Sequence, residues 1–235
     1  MAAPEPRLGP LVHRAVHHGA ALWLVGSLEF IVAMVVVQLA WTGHPGYNLS
    51  SDVISDLGNT ACGPWPSATS TDVCSPWHTV FNASIVVLGI LIILGAILVR
   101  TGFPQRRSST IGLGMIALSG VGAIGVGLFP ENLHLGFHEI FSLIAFLLGG
   151  LAFVVLGFAM FRDTRWDGFR AYSLFSGLVT LIALILFVAH AYAGLGMGGM
   201  ERLIVAPELL WLIVLPVHLL RIPQYAPHTI PTGST

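Results

Sequence analysis

Six long apolar runs alternate with short polar connections along the chain: Ala20–Trp41, His78–Val99, Thr110–Phe129, Leu135–Phe161, Phe169–Ala193 and Leu203–Leu220. Each is close to the ~20 residues that cross ~30 Å of hydrocarbon at about 1.5 Å per residue. Hydrocarbon offers no water to the backbone, so each run is predicted to be a helix. The pattern predicts an all-α fold, a polytopic membrane bundle of six transmembrane helices over residues 20–220. Residues 1–19 and 221–235 contain the Pro-rich stretches "MAAPEPRLGP" and "IPQYAPHTIPTGST" and read as poorly ordered tails. The first run exceeds the ~7–15 residues of a signal-peptide core and contains Glu29 and Gln38, so it reads as a membrane helix rather than a cleaved leader. Helix 3 places Gly112, Ser119, Ala123 and Gly127 in a small-residue stripe, which predicts close helix contact and a central position.

Composition removes the water-soluble alternative. The chain is 55% hydrophobic and 9% charged, against about 25% charged in a soluble domain. No basic run supports a nucleic-acid partner. The ten basic residues are all Arg, and nine of the ten fall before helix 1, between helices 2 and 3, between helices 4 and 5, or after helix 6. The positive-inside rule then puts both termini in the cytoplasm of a multi-pass plasma-membrane protein surrounded by membrane lipids. Three loops face outward: the long residues 42–77, a short turn at Pro130–His134, and the Gly-rich stretch ending at Arg202. Cys62 and Cys74, the only cysteines, both lie in the first of these. An oxidising outer compartment favours a disulfide there over two free thiols, worth about 3 kcal/mol in the chain-entropy model.

The outer ends of the helices share a polar layer. The stretch "GLFPENLHLGFHEIF" (127–141) holds Glu131, His134, His138 and Glu139. Residues four apart on a helix differ by only about 40°, so His134 and His138 are predicted to share a face if helix 4 starts early, with Pro130 and Asn132 opening it. His78, Asn82, His190, Arg202 and Glu208 reach similar depth from other helices. Imidazole suits zinc, and three protein ligands leave a position for water. The candidate metal ligands are therefore His78, His134, His138 and His190; the candidate catalytic carboxylates are Asp56, Glu131 and Glu208; Ser55, Asn82 and Arg202 are candidate binding groups. Glu139, Glu201 and His44 read as rim groups that merely solvate helix ends. Glu208 and Glu29 lie deeper and are expected to face protein or a wet cavity, with Glu208 paired to Arg202 or a His.

The order "ISDLG", "PWHTVFN", "GLFPE" with a His shortly after, then a Gly-rich turn leading to "ERL" and a Trp-bearing last helix resembles a bacterial and archaeal membrane family catalogued as domain of unknown function 998. The resemblance runs from about Leu22 to Leu220 and matches Ser55, Asp56, Leu57, Gly58, Asn82, Pro130 and Glu131. It implies a membrane bundle of about six helices and supplies no activity or catalytic residues. A looser geometric likeness is to ceramidase-like and progestin-receptor-like transmembrane hydrolases, which hold zinc with Ser, Asp and three His at one membrane face. Those have seven helices and a His pair in the last one; here the pair opens helix 4. Three functions are compatible with the layer. One is a metal-dependent hydrolase or transferase acting on a lipid or amphiphile. Another is a non-catalytic scaffold or accessory subunit. The last is a proton-coupled transporter using Glu29 and Glu208.

Overall fold

Every apolar run becomes a helix in the computed structural model, which describes residues 10–64 and 72–221. The tail segments 1–9 and 222–235 lie outside the described residues. The helices are α1 (Pro10–Leu39), α2 (His78–Val99), α3 (Arg107–Leu128), α4 (Glu131–Ala159), α5 (Asp167–Val188) and α6 (Gly196–Arg221). All six are long and apolar enough to cross a membrane, and the chain is a multi-pass membrane protein. Several boundaries fall outside the apolar runs. α1 begins at Pro10, inside the segment read as a tail, since a proline at the first helical position lacks only an N–H that would be unpaired anyway. α6 starts at Gly196, which puts Glu201 and Arg202 on a helix rather than in a loop.

The helices form a ring in chain order, and α6 closes it against α1. α3 therefore lies in the wall between α2 and α4 rather than at the centre, contrary to the expectation from its small-residue stripe. The reason is that its glycines serve two faces. A Cβ at Gly120 would lie 2.7 Å from the carbonyl oxygen of Gly89 on α2, and one at Gly122 would lie 2.5 Å from the backbone nitrogen of Ala145 on α4. Backbone meets backbone on both sides, which fixes α3 between its neighbours. At the end of the ring that carries most of the arginines, an aromatic cluster fills the interior. There Phe103 stacks on Trp166 at 4.9 Å, and Phe153 on Trp211 at 4.5 Å. The Trp211 indole N–H donates to Ser173 Oγ at 2.8 Å, and that of Trp23 to the Ile92 carbonyl at 2.9 Å, so neither buried ring leaves a polar group unpaired.

The opposite end is closed by the connection between α1 and α2. Its middle forms a short 3-10 helix, Ile54–Gly58, hereafter the loop helix, with Ile54, Asp56, Leu57 and Gly58 buried. A two-stranded antiparallel hairpin follows, β1 (Gly63–Pro64) against β2 (Asp72–Val73), with Gly63 opposite Val73. The predicted disulfide joins Cys62 to Cys74 across its base. Treating intact cells with a membrane-impermeant maleimide tests both the bridge and the orientation. Cys62 and Cys74 are expected to stay unmodified until a reductant is added, then to react from outside. Labelling that requires permeabilised membranes would invert the orientation drawn from the arginines.

Candidate functional site

A loop that enters the mouth of a helix ring must pair its backbone groups, because water is scarce there. The loop helix and the residues ahead of it do so with side chains from two transmembrane helices and from the end of the loop itself. From α6, Glu201 Oε2 accepts the Ile54 N–H. From α2, Asn82 Nδ2 donates to the Gly58 carbonyl at 2.9 Å. A side chain at Gly58 would put its Cβ 2.5 Å from Asn82 Oδ1, so the glycine of "ISDLG" is what lets the two elements meet. Ser75 Oγ donates to the Leu57 carbonyl at 2.7 Å. Arg202 Nη1 donates to the carbonyls of Leu49 and Asp52, each at 2.9 Å, while Nη2 reaches the Tyr47 hydroxyl. The Gly-rich start of α6 passes close enough that a Cβ at Gly198 would lie 2.1 Å from the Asp52 carbonyl oxygen. Burial pushes the Tyr47 phenol well above its usual range, against the opposing pull of Arg202.

At the centre stands Ser55, half-buried. Its Oγ lies 3.0 Å from His138 Nε2 on α4 and 3.2 Å from Glu201 Oε1 on α6. His138 Nδ1 lies 2.9 Å from the Phe129 carbonyl oxygen. A carbonyl only accepts, so Nδ1 carries the proton there and Nε2 of the neutral ring is left to accept from Ser55. The groups form one chain: Phe129 carbonyl, His138, Ser55, Glu201, Ile54 N–H. Below it opens a cavity of about 80 Å³ whose walls are mainly apolar, with Phe30, Phe81, Phe146 and Phe153 contributing and with Ser55, Glu201 and Glu208 as polar lining.

A second pair adjoins this chain. Asp56, fully buried, accepts the Val53 N–H at 3.0 Å through Oδ2. Its carboxyl also hydrogen-bonds that of Glu131, which one of the two can do only by keeping its proton. Burial pushes Asp56 up to about 6, opposed first by its hydrogen bonds to Glu131 and the Val53 N–H. Two buried carboxyls this close do not both ionise easily.

The structure gathers only part of the predicted set. Ser55, Asp56, Asn82, Glu131, His138 and Arg202 converge around the loop helix. His134 does not join His138 on a helix face. Its backbone is non-helical (φ −142°, ψ 53°), which breaks α4 there and leaves its ring exposed, edge-on to Phe129. His78 bonds back to the Ser75 carbonyl at 2.9 Å, and His190, exposed at φ 53°, contacts the Tyr192 hydroxyl. Among the described residues no three His, Cys, Asp or Glu side chains gather to hold a metal, so these histidines do not fit a zinc ion. Glu208 is not paired with Arg202 or a His. It lines the cavity with Oε1 unpartnered, lying against Gly149, where a Cβ would be 2.3 Å from that oxygen. Glu29 is exposed on the outer surface of α1 rather than facing protein or the cavity, which separates the two carboxyls that a proton-coupled path would join. Glu139 and His44 are exposed, as rim groups should be. Glu201 is the reverse, 5% exposed and central. Sequence reasoning missed its role by placing it in a loop; the Gly-rich run ahead of "ERL", which allows α6 to begin early beneath the α1–α2 loop, was the available signal.

A family model described as a protein of unknown function (DUF998) matches residues 18–218. No curated protein and no solved structure matches the chain.

Two measurements check the geometry. Glu201→Leu strands the Ile54 N–H and is expected to cost about 1–3 kcal/mol in detergent, whereas Glu201→Gln keeps an acceptor and most of the stability; equal losses would remove the capping role. Asp56 binds its proton more tightly folded (about 6) than unfolded (3.8). Its contribution to stability is therefore complete below the lower value and is lost as pH rises through about 6. The melting temperature is expected to fall from about pH 4 to about pH 6 and to level off above that, and Asp56→Asn to flatten that slope. A profile unchanged by the substitution would contradict the burial of this carboxyl.

Proposed function

The chain belongs to the DUF998 family, whose description assigns no activity, and from that premise we propose that it is a membrane hydrolase or acyl transferase with Ser55 as nucleophile. The substrate class is an ester or amide of a lipid or other amphiphile at the outer leaflet of the plasma membrane. The observation that carries the reading is the relay in which His138 bridges the Phe129 carbonyl and Ser55 Oγ at 2.9 and 3.0 Å.

The chemistry follows from the tautomer. With Nδ1–H donated to Phe129, Nε2 takes the Oγ proton as Oγ bonds to the substrate carbonyl carbon. A backbone carbonyl here holds the imidazole in the role that a carboxylate plays in a Ser-His-Asp triad. The protonated ring then gives its proton to the leaving oxygen or nitrogen as that bond breaks, leaving an acyl-Ser55. Water, deprotonated by Nε2, releases the acid; a second hydroxyl compound in its place makes the reaction a transfer. Glu201 Oε1, 3.2 Å from Oγ, is the alternative acceptor of the single hydroxyl proton, and its carboxylate balances the imidazolium charge once that proton has passed to Nε2. The apolar cavity below Ser55 receives part of an acyl chain while the polar mouth faces the headgroup. A zinc-dependent version has less support, because the candidate histidines point to different places.

The scaffold reading rests on a different observation: Asn82, Ser75 and Arg202 all bond backbone carbonyls of the outer loop, as a purely structural lock would require. Reaction with a fluorophosphonate separates the two. The wild-type protein in mild detergent is expected to form an adduct on Ser55, detectable by peptide mass spectrometry. Ser55→Ala should abolish it, and His138→Gln should slow it by about 10²-fold or more. Folded wild-type protein that forms no adduct, together with a lowered melting temperature in Ser55→Ala, would leave the scaffold.

A further inference from the structure

The end of the bundle remote from Ser55 carries a second pocket, of about 390 Å³, at the start of α3. Arg100, Gln105, Arg106, Arg107, Ser109 and Thr110 line it, and no acidic residue does. Its frame is preformed. Gln105 Nε2 donates to the carbonyls of Phe103 at 2.8 Å and Arg100 at 3.3 Å, Phe103 is buried on Trp166, and Gly102 packs against Val16.

Three features of this frame ask for an anion. The N-cap of α3 is Arg106, which supplies no side-chain cap, and the first turn has no acidic residue, so the helix N-terminus is uncompensated. Ser109, in that first turn, is 3% exposed, and its hydroxyl has no hydrogen-bond partner among the described residues. Among the described residues Arg100, Arg106 and Arg107 are exposed and make no ion pair; the nearby Asp163 feels the Arg106 charge but is held by Arg165, at 2.9 and 2.7 Å. Positive-inside arginines alone give a diffuse field. An orphaned buried hydroxyl and an uncapped helix start beside them give a directional site.

We propose that this pocket binds a phosphate monoester or diester anion, carried by an anionic phospholipid headgroup or free in solution. Guanidinium groups meet phosphate oxygens in pairs, the α3 amides and Ser109 donate from below, and a helix end at headgroup depth is where basic pockets hold anionic lipids. The site shares no residue with the Ser55 relay, and the proposal stands whatever Ser55 does.

Native mass spectrometry of the full chain, from detergent micelles holding equal phosphatidylglycerol and phosphatidylcholine, tests it, alongside thermal unfolding of delipidated protein with inorganic phosphate. Selective retention of one phosphatidylglycerol without a phosphate effect identifies a lipid headgroup. A melting temperature raised by millimolar phosphate, with displacement of the lipid, identifies free phosphate as a ligand. Arg106→Gln and Arg107→Gln are each expected to weaken binding by about fivefold. Ser109→Ala should weaken it with the charge unchanged, and unliganded melting temperatures show that each variant is folded. Retention that does not distinguish the two lipids, combined with no phosphate effect, overturns the proposal. So does an equal loss from Arg162→Gln, on the neighbouring α4–α5 connection, since that would mean diffuse attraction only.

Discussion

A single buried hydrogen bond, from the Ile54 amide to the Glu201 carboxyl, governs how the α1–α2 loop meets the bundle. An amide entering the ring unpaired would carry a desolvation cost of about 1–3 kcal/mol, so the loop helix can lie in the mouth only where an acceptor waits. Once it lies there, the rest of the site is determined. Leu57 and Ile54 fill apolar space, Asp56 is drawn beside Glu131, and Ser55 is carried to His138. The arrangement also explains why α6 begins with glycines: its first turns run close under the loop backbone, with no room for a Cβ at Gly198.

The helices were legible because hydrocarbon permits only one regular answer for an isolated apolar run, and because length alone marks the span. Their ends were not, since Pro10, Glu131 and Gly196 lie in polar or glycine-rich sequence where the apolar pattern has stopped. The disulfide was legible from two cysteines confined to one loop. The convergence of Ser55, Asn82, Glu131 and His138 was legible as a shared depth, but not as contacts. Depth follows from counting residues along a helix, whereas contact depends on azimuth, and the break at His134 resets the azimuth of everything ahead of it. That break explains why a four-residue spacing between two histidines gave no common face; His78 and His190 are held instead by the Ser75 carbonyl and the Tyr192 hydroxyl. The position of α3 was misjudged for a related reason: a stripe of small residues fixes how near a neighbour comes, not how many sides it comes from.

Glu208 shows what the ring leaves over. Its carboxyl lies against Gly149 at the cavity wall with one oxygen unpartnered among the described residues, and it adds nothing to the anchoring of the loop. Leu or Met at this position would fill the space at less cost. A protein that keeps a carboxyl there, two helical turns below Glu201 on the same helix, retains a polar station at the bottom of an otherwise apolar chamber. About 80 Å³ admits two or three waters at ~30 Å³ each, or a short length of hydrocarbon chain. These occupants exclude each other. Water linking Glu208 to Glu201 and Ser55 would be expelled when an acyl chain enters, and the field around the Ser55–His138 pair would strengthen as it left. In the proposed reaction the cavity and the relay above it would act as one device: the apolar walls would select the chain, and its arrival would dry the polar groups beside Ser55.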